Sequence, residues 1–83
     1  MQLQNGRIVC AAAGKEKNQF YLIIRQDENF VYLADGRHRT LEKPKRKNPK
    51  HVRPTKTLLS LQDMTNKSLR RFLHEYQEEN RFV

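Results

Sequence analysis

Gln19-Phe20-Tyr21-Leu22-Ile23-Ile24-Arg25-Gln26-Asp27-Glu28-Asn29-Phe30-Val31-Tyr32-Leu33-Ala34-Asp35-Gly36 is the stretch whose reading decides the fold. Residues 19–25 are a nearly continuous apolar and aromatic run, the pattern of a strand covered on both faces, as in a small barrel. Gln26–Asn29 is a tight connection, and Phe30–Ala34 is a second strand whose register against the first is set by a hairpin. Alternation puts Tyr21 on the face opposite Phe20, Leu22 and Ile24, and Tyr32 on the face opposite Val31 and Leu33. Asp35-Gly36 is the strongest short hairpin signal in the chain, because a two-residue turn of this kind needs positive φ. It is expected to return Arg37–Leu41 as a short fourth strand.

Outward from this hairpin, Gly6–Ala13 reads as a first strand of small and β-branched residues. Gly14-Lys15-Glu16-Lys17-Asn18 is a polar turn in which Gly14 and Asn18 suit left-handed positions. Beyond the hairpin, Pro44 and Pro49 stop regular pairing, so residues 42–50 are expected to be a mobile basic loop. His51-Val52-Arg53 is a closing strand ended by Pro54. Five short strands separated by turns fit an SH3-like barrel better than a sandwich.

The last third changes period. Leu69, Phe72, Leu73 and Tyr76 fall at i, i+3, i+4 and i+7, one face of an α-helix capped by Thr65 or Asn66 and running to Arg81. Arg71 and Glu75 are spaced to pair. Residues 57–64 link barrel to helix, their leucines packing the two together. The expected fold is mainly β with a C-terminal helix. Residues 1–56 form the barrel and residues 57–83 the linker and helix, in one domain.

Eighty-three residues allow a modest core. The mean hydropathy of −0.96 is low, but the apolar residues are bunched, which argues for a folded core with polar appendages. No apolar run approaches the roughly 20 residues that span a bilayer. The first residues carry neither a charged region nor an apolar one of the kind that directs secretion. The single Cys10 has no disulfide partner in the chain and fits a reducing compartment. A cytoplasmic monomer is expected.

Charge is local. Residues 35–56 hold nine of the seventeen Lys and Arg residues, opposed only by Asp35 and Glu42, and account for +7 of the net +8. Clustered cations separated by prolines suit a polyanion, and nucleic acid is the usual one. The competing reading is a solvated basic loop without a partner, which a field of one sign disfavours by self-repulsion.

Several of these segments together resemble a KOW motif: Gly6-Arg7-Ile8-Val9, Gly14-Lys15-Glu16-Lys17, the strand 20–24, and Val31-Tyr32-Leu33-Ala34-Asp35-Gly36. The order is similar to that of KOW proteins of archaeal and eukaryotic large ribosomal subunits. It is more similar still to short bacterial KOW-domain RNA-binding proteins. In those, the basic tract after Asp-Gly is followed by a segment like His51-Val52-Arg53-Pro54-Thr55 and a C-terminal helix. The resemblance covers nearly the whole chain, although KOW motifs are short and also occur in transcription factors. One departure is Asn18, where many KOW motifs place a second glycine. Asn tolerates the left-handed region, so the turn is expected to survive. The resemblance implies binding to ribosomal RNA, with ribosomal proteins as further partners.

The candidate RNA-binding residues are Lys15, Lys17, Arg37, His38, Arg39, Lys43, Lys45, Arg46, Lys47, Lys50, His51, Arg53 and Lys56. Lysines facing phosphates supply affinity largely blind to sequence, whereas Arg37, Arg39, Arg46 and Arg53 also stack and bond bidentately. Tyr21 and Tyr32 are either stacking platforms or core rings with a hydroxyl at the barrel edge, and Phe30 reads as core. His38 and His51 are phosphate contacts when protonated, or exposed spacers. Lys67, Arg70 and Arg71 near the helix start oppose the macrodipole, and an extension of the RNA surface is one reason for their placement. Cys10, His38, His51 and His74 lack zinc-like spacing, and Cys10 has no His and Asp cluster to activate it. No metal, cofactor or enzymatic activity is expected. The alternative function is a protein-interaction module of the transcription or translation machinery, and DNA is a third partner that charge alone admits.

Overall fold

The computed structural model describes residues 2–80. Five antiparallel strands form one sheet: β1 (Arg7–Ala11), β2 (Phe20–Gln26), β3 (Val31–Ala34), β4 (Lys45–Lys47) and β5 (Val52–Leu58), in the order β4-β3-β2-β1-β5. A 3-10 turn, Pro49–His51, precedes β5, and the helix α1 (Asn66–Glu79) follows it. Arg81, the expected helix end, lies outside the described residues.

The continuous apolar run of β2 is covered on both faces. Tyr21 and Ile23 join Val9, Ala11, Val31, Leu33 and Val52 in one buried cluster. Leu22 joins Ile8, Ala34, Leu69 and Leu73 in a second cluster, on the side that receives the helix. Leu69 has no exposed surface, and burying such a side chain contributes about 1.5–3 kcal/mol. Leu59, Leu61 and Met64 pack beside it as the linker reading expects, while Leu58 is half exposed. Thr65 is the N-cap: its hydroxyl accepts from the Ser68 N–H, and the Ser68 side chain reaches back to the Thr65 N–H. The helix therefore starts where the sequence places its cap.

The ladder does not close. Among the described residues no strand pairing joins β4 to β5, so the five strands form an open sheet and not a demonstrated barrel. Both edges nevertheless meet the β1–β2 connection. Glu16 pairs with Lys45 on β4, and the Ala12 N–H donates to the His51 carbonyl just before β5 at 2.8 Å. Asn18 takes φ +73°, as its left-handed role requires.

Three expectations are corrected. Asp35-Gly36 is not a hairpin turn, and Arg37–Leu41 is not a strand. The Asp35 carboxylate accepts from the Arg37 and Arg39 N–H groups at 2.9 and 2.8 Å, which winds the backbone into a local loop. That loop is clamped to the helix start. The Leu41 N–H donates to Asn66 Oδ1 at 2.8 Å, and Asn66 Nδ2 donates to Glu42. Second, the expected mobile loop 42–50 contains β4 and the first two residues of the 3-10 turn; β4 pairs with β3 in the register Val31↔Lys47, Tyr32↔Arg46, Leu33↔Lys45. Third, the last strand begins at Val52 and continues through Pro54 to Leu58, two residues into the expected linker. Because β5 is an edge, a proline without an N–H is tolerated there.

Candidate nucleic-acid interface

β4 is made wholly of cations, and its alternation sorts them. Lys45 and Lys47 stand opposite Leu33 and Val31, both part of the first core cluster, and both lysines are partly buried. Lys45 is spent on Glu16, in the one ion pair between described residues. Its ammonium, first of all, holds the Glu16 carboxyl below the usual carboxylate range. Arg46 points the other way and is exposed. The three cations of β4 are thus sorted into one outward arginine flanked by two partly buried lysines.

Arg46 stands opposite Tyr32, and Tyr32 opposite Arg25. The register shift between Ile23 and Arg25 brings Arg25 onto this row. The Arg25 guanidinium lies 3.7 Å from the Tyr32 ring centroid, and that of Arg46 lies 4.6 Å from the Phe30 centroid. Each such contact is worth about 0.5–1 kcal/mol at an exposed site. Phe30 is therefore not a core residue, and Tyr32 is not a core ring. The Tyr32 hydroxyl donates to Asp27 Oδ2 at 2.7 Å, and this bond is the main reason the Asp27 carboxyl is held low. A fixed anion beside Arg25 makes this row better suited to stacking bases than to collecting phosphates. Arg25 and Phe30 were not among the expected contacts, because the row exists only once the bulged register is known.

Tyr21 behaves differently. It is buried, its hydroxyl donates to Gln19 Oε1 at 3.2 Å, and burial pushes its pKa up to about 12. A raised pKa contributes stability that is present below the unfolded value near 10 and is lost as pH rises through about 12. Ultraviolet titration should therefore show Tyr21 ionising only in that upper range, and a Tyr21→Phe variant should lack that step. Loss in the variant of an ordinary step at about 10, with the upper step kept, would place the Tyr21 ring in solvent.

The remaining expected contacts are dispersed. Lys15 and Lys17 are exposed on the β1–β2 connection; Arg37, His38, Arg39 and Lys43 are exposed between β3 and β4; Lys50 and His51 are exposed on the 3-10 turn. Arg53 and Lys56 are exposed on β5, beside a groove that Cys10, Phe20 and Tyr76 also line. Burial pushes the Cys10 thiol up, with Arg53 pulling it partly back. Arg37 and His38 share a cleft with Arg70 and His74 of the helix, far apart in sequence. Arg71 and Glu75, spaced to pair, are not in ion-pair contact and line an adjoining cleft that also borders Arg37, Arg70 and His74.

Compared with known proteins, the chain matches no family model, and no curated protein matches it significantly. The KOW resemblance rests on the motif residues quoted above.

Proposed function

We propose that the protein binds RNA, presenting unpaired bases to the Arg25–Tyr32–Arg46 row while the surrounding lysines and arginines take the phosphates. The observation that supports it most is the outward Arg46 on an all-cation edge strand, set beside Phe30 and across from Tyr32. Guanidinium planes laid over aromatic rings, Arg25 over Tyr32 and Arg46 over Phe30, offer flat outer faces to splayed bases, and the net charge of +8 supplies sequence-blind attraction. The KOW resemblance makes ribosomal RNA the preferred target and the cytoplasm the place of action, with ribosomal proteins as neighbours.

The test is equilibrium binding of an unpaired oligoribonucleotide, a duplex RNA and a DNA strand of matched sequence across a salt series. Unpaired RNA should bind tightest, with log K falling by about 0.7 per phosphate contact for each unit of log salt. RNA binding that is absent, or flat with salt, would overturn this reading in favour of a protein contact.

A further inference from the structure

The cleft between the 35–39 loop and the helix has a volume of about 330 Å³, at the small end of the range for ligand sites. Phe20 and Leu73 supply apolar lining. Phe20 is half-buried and held edge-on by Tyr76, with centroids 5.0 Å apart. Gln19 and Gln77 also line the cleft. The Tyr21 hydroxyl occupies Gln19 Oε1, leaving the amide NH₂ to donate. Arg37 and Arg70 border both this cleft and the adjoining one that Arg71 lines. None of the three is ion-paired with a described residue. Two carboxylates are close: Asp35, which accepts the Arg37 and Arg39 N–H groups, and Glu75 in the adjoining cleft. His38 and His74 complete the walls.

We infer that this cleft takes one unpaired nucleotide of the bound RNA, its base against Phe20 and Leu73 and its phosphate on Arg37 and Arg70. This rests on the RNA-binding reading and adds to it a place where base identity is read. The Gln19 and Gln77 amides are the groups that bond to base edges: Gln19 offers its NH₂ donors, and Gln77 both donors and acceptor. The guanidiniums at the rim, each with a fork of donors, suit phosphate oxygens. Apolar lining, edge-reading amides and phosphate-binding arginines in one cleft are the parts that a flipped-out nucleotide requires. Of the three helix cations that oppose the macrodipole, Arg70 thereby gains a role.

The experiment titrates the full-length protein with each of the four ribonucleoside 5′-monophosphates and with inorganic phosphate, following amide and side-chain resonances by NMR. One base should bind better than the others and shift the Gln19 and Gln77 side-chain amides, while phosphate alone should shift only the arginines. Gln19→Ala with Gln77→Ala should shrink the preference between bases by about two- to tenfold per amide while leaving the phosphate response unchanged. Equal response to all four nucleotides and to phosphate would mean an anion patch only and would overturn the inference. So would complex formation with RNA that shifts Arg25, Tyr32 and Arg46 but not this cleft, a result that leaves the RNA-binding reading standing. Conversely, selective mononucleotide binding without any RNA binding would overturn that reading, and with it the claim that the nucleotide in the cleft belongs to an RNA.

Discussion

Gly36→Ala should loosen the helix from the sheet and cost about 2–5 kcal/mol. Gly36 has φ +78°, which an L side chain adopts at a cost of about 1–2 kcal/mol. A Cβ there would also run into the Asn66 carbonyl oxygen and lie 2.9 Å from the Arg70 nitrogen. Overpacking against backbone adds about 1–3 kcal/mol. A chain of 83 residues has about 4–12 kcal/mol in hand, so the loss is a large fraction of the whole. Gly14→Ala separates the two contributions. Gly14 has φ +82°, but a Cβ there would approach nothing nearer than the end of the Glu16 side chain at 3.5 Å. Urea unfolding should therefore show Gly14→Ala losing only the backbone cost and Gly36→Ala losing visibly more. Equal midpoints for the two variants would mean that the loop does not seat on the helix.

That contact explains why the Asp35-Gly36 signal misleads. Asp-Gly favours positive φ wherever it occurs, and local preference does not say what the chain will meet next. Here the glycine is needed for close approach to Asn66, and the aspartate for capping its own loop. The partner that decides between the two readings lies thirty residues away, beyond the reach of a short window. β4 was hidden for a different reason. Lys45-Arg46-Lys47 carries no apolar residue, and an edge strand is held by backbone hydrogen bonds that do not depend on side-chain type. Patterning of hydrophobicity is silent there.

Where side chains are buried, the sequence is readable. The first three strands, the face assigned to each tyrosine, the helix stripe and its Thr65 cap all follow from period and cap chemistry. The candidate interface was legible as charge but not as surface. Counting cations finds the segment 35–56, but only the pairing of β4 with β3 shows that Lys45 and Lys47 turn inward while Arg46 turns out. The row it joins needs the bulge that realigns Arg25 with Tyr32.

The sorting of β4 gives the second large effect. Tyr32→Leu and Arg46→Ala should each weaken binding of unpaired RNA by about 1–3 kcal/mol, roughly 5- to 150-fold, the range for loss of one stacked base. Lys45→Ala with Lys47→Ala removes twice the charge of Arg46→Ala. If charge alone mattered, the double variant would lose more affinity and flatten the salt dependence by about 1.4. The geometry predicts the reverse. Lys45 already neutralises Glu16, and removing it frees a carboxylate and a strand edge without removing an outward contact. The double variant should lose stability, by about 0.2–1 kcal/mol from the ion pair, and little RNA affinity once its folded fraction is allowed for. Arg46→Lys keeps the charge but not the planar guanidinium, so it should restore the salt slope and not the affinity. Anisotropy titrations of one labelled unpaired RNA with these variants at two salt concentrations decide between the accounts. Full recovery by Arg46→Lys, or a larger loss from the lysine pair, would make β4 a charge strip with no stacking role.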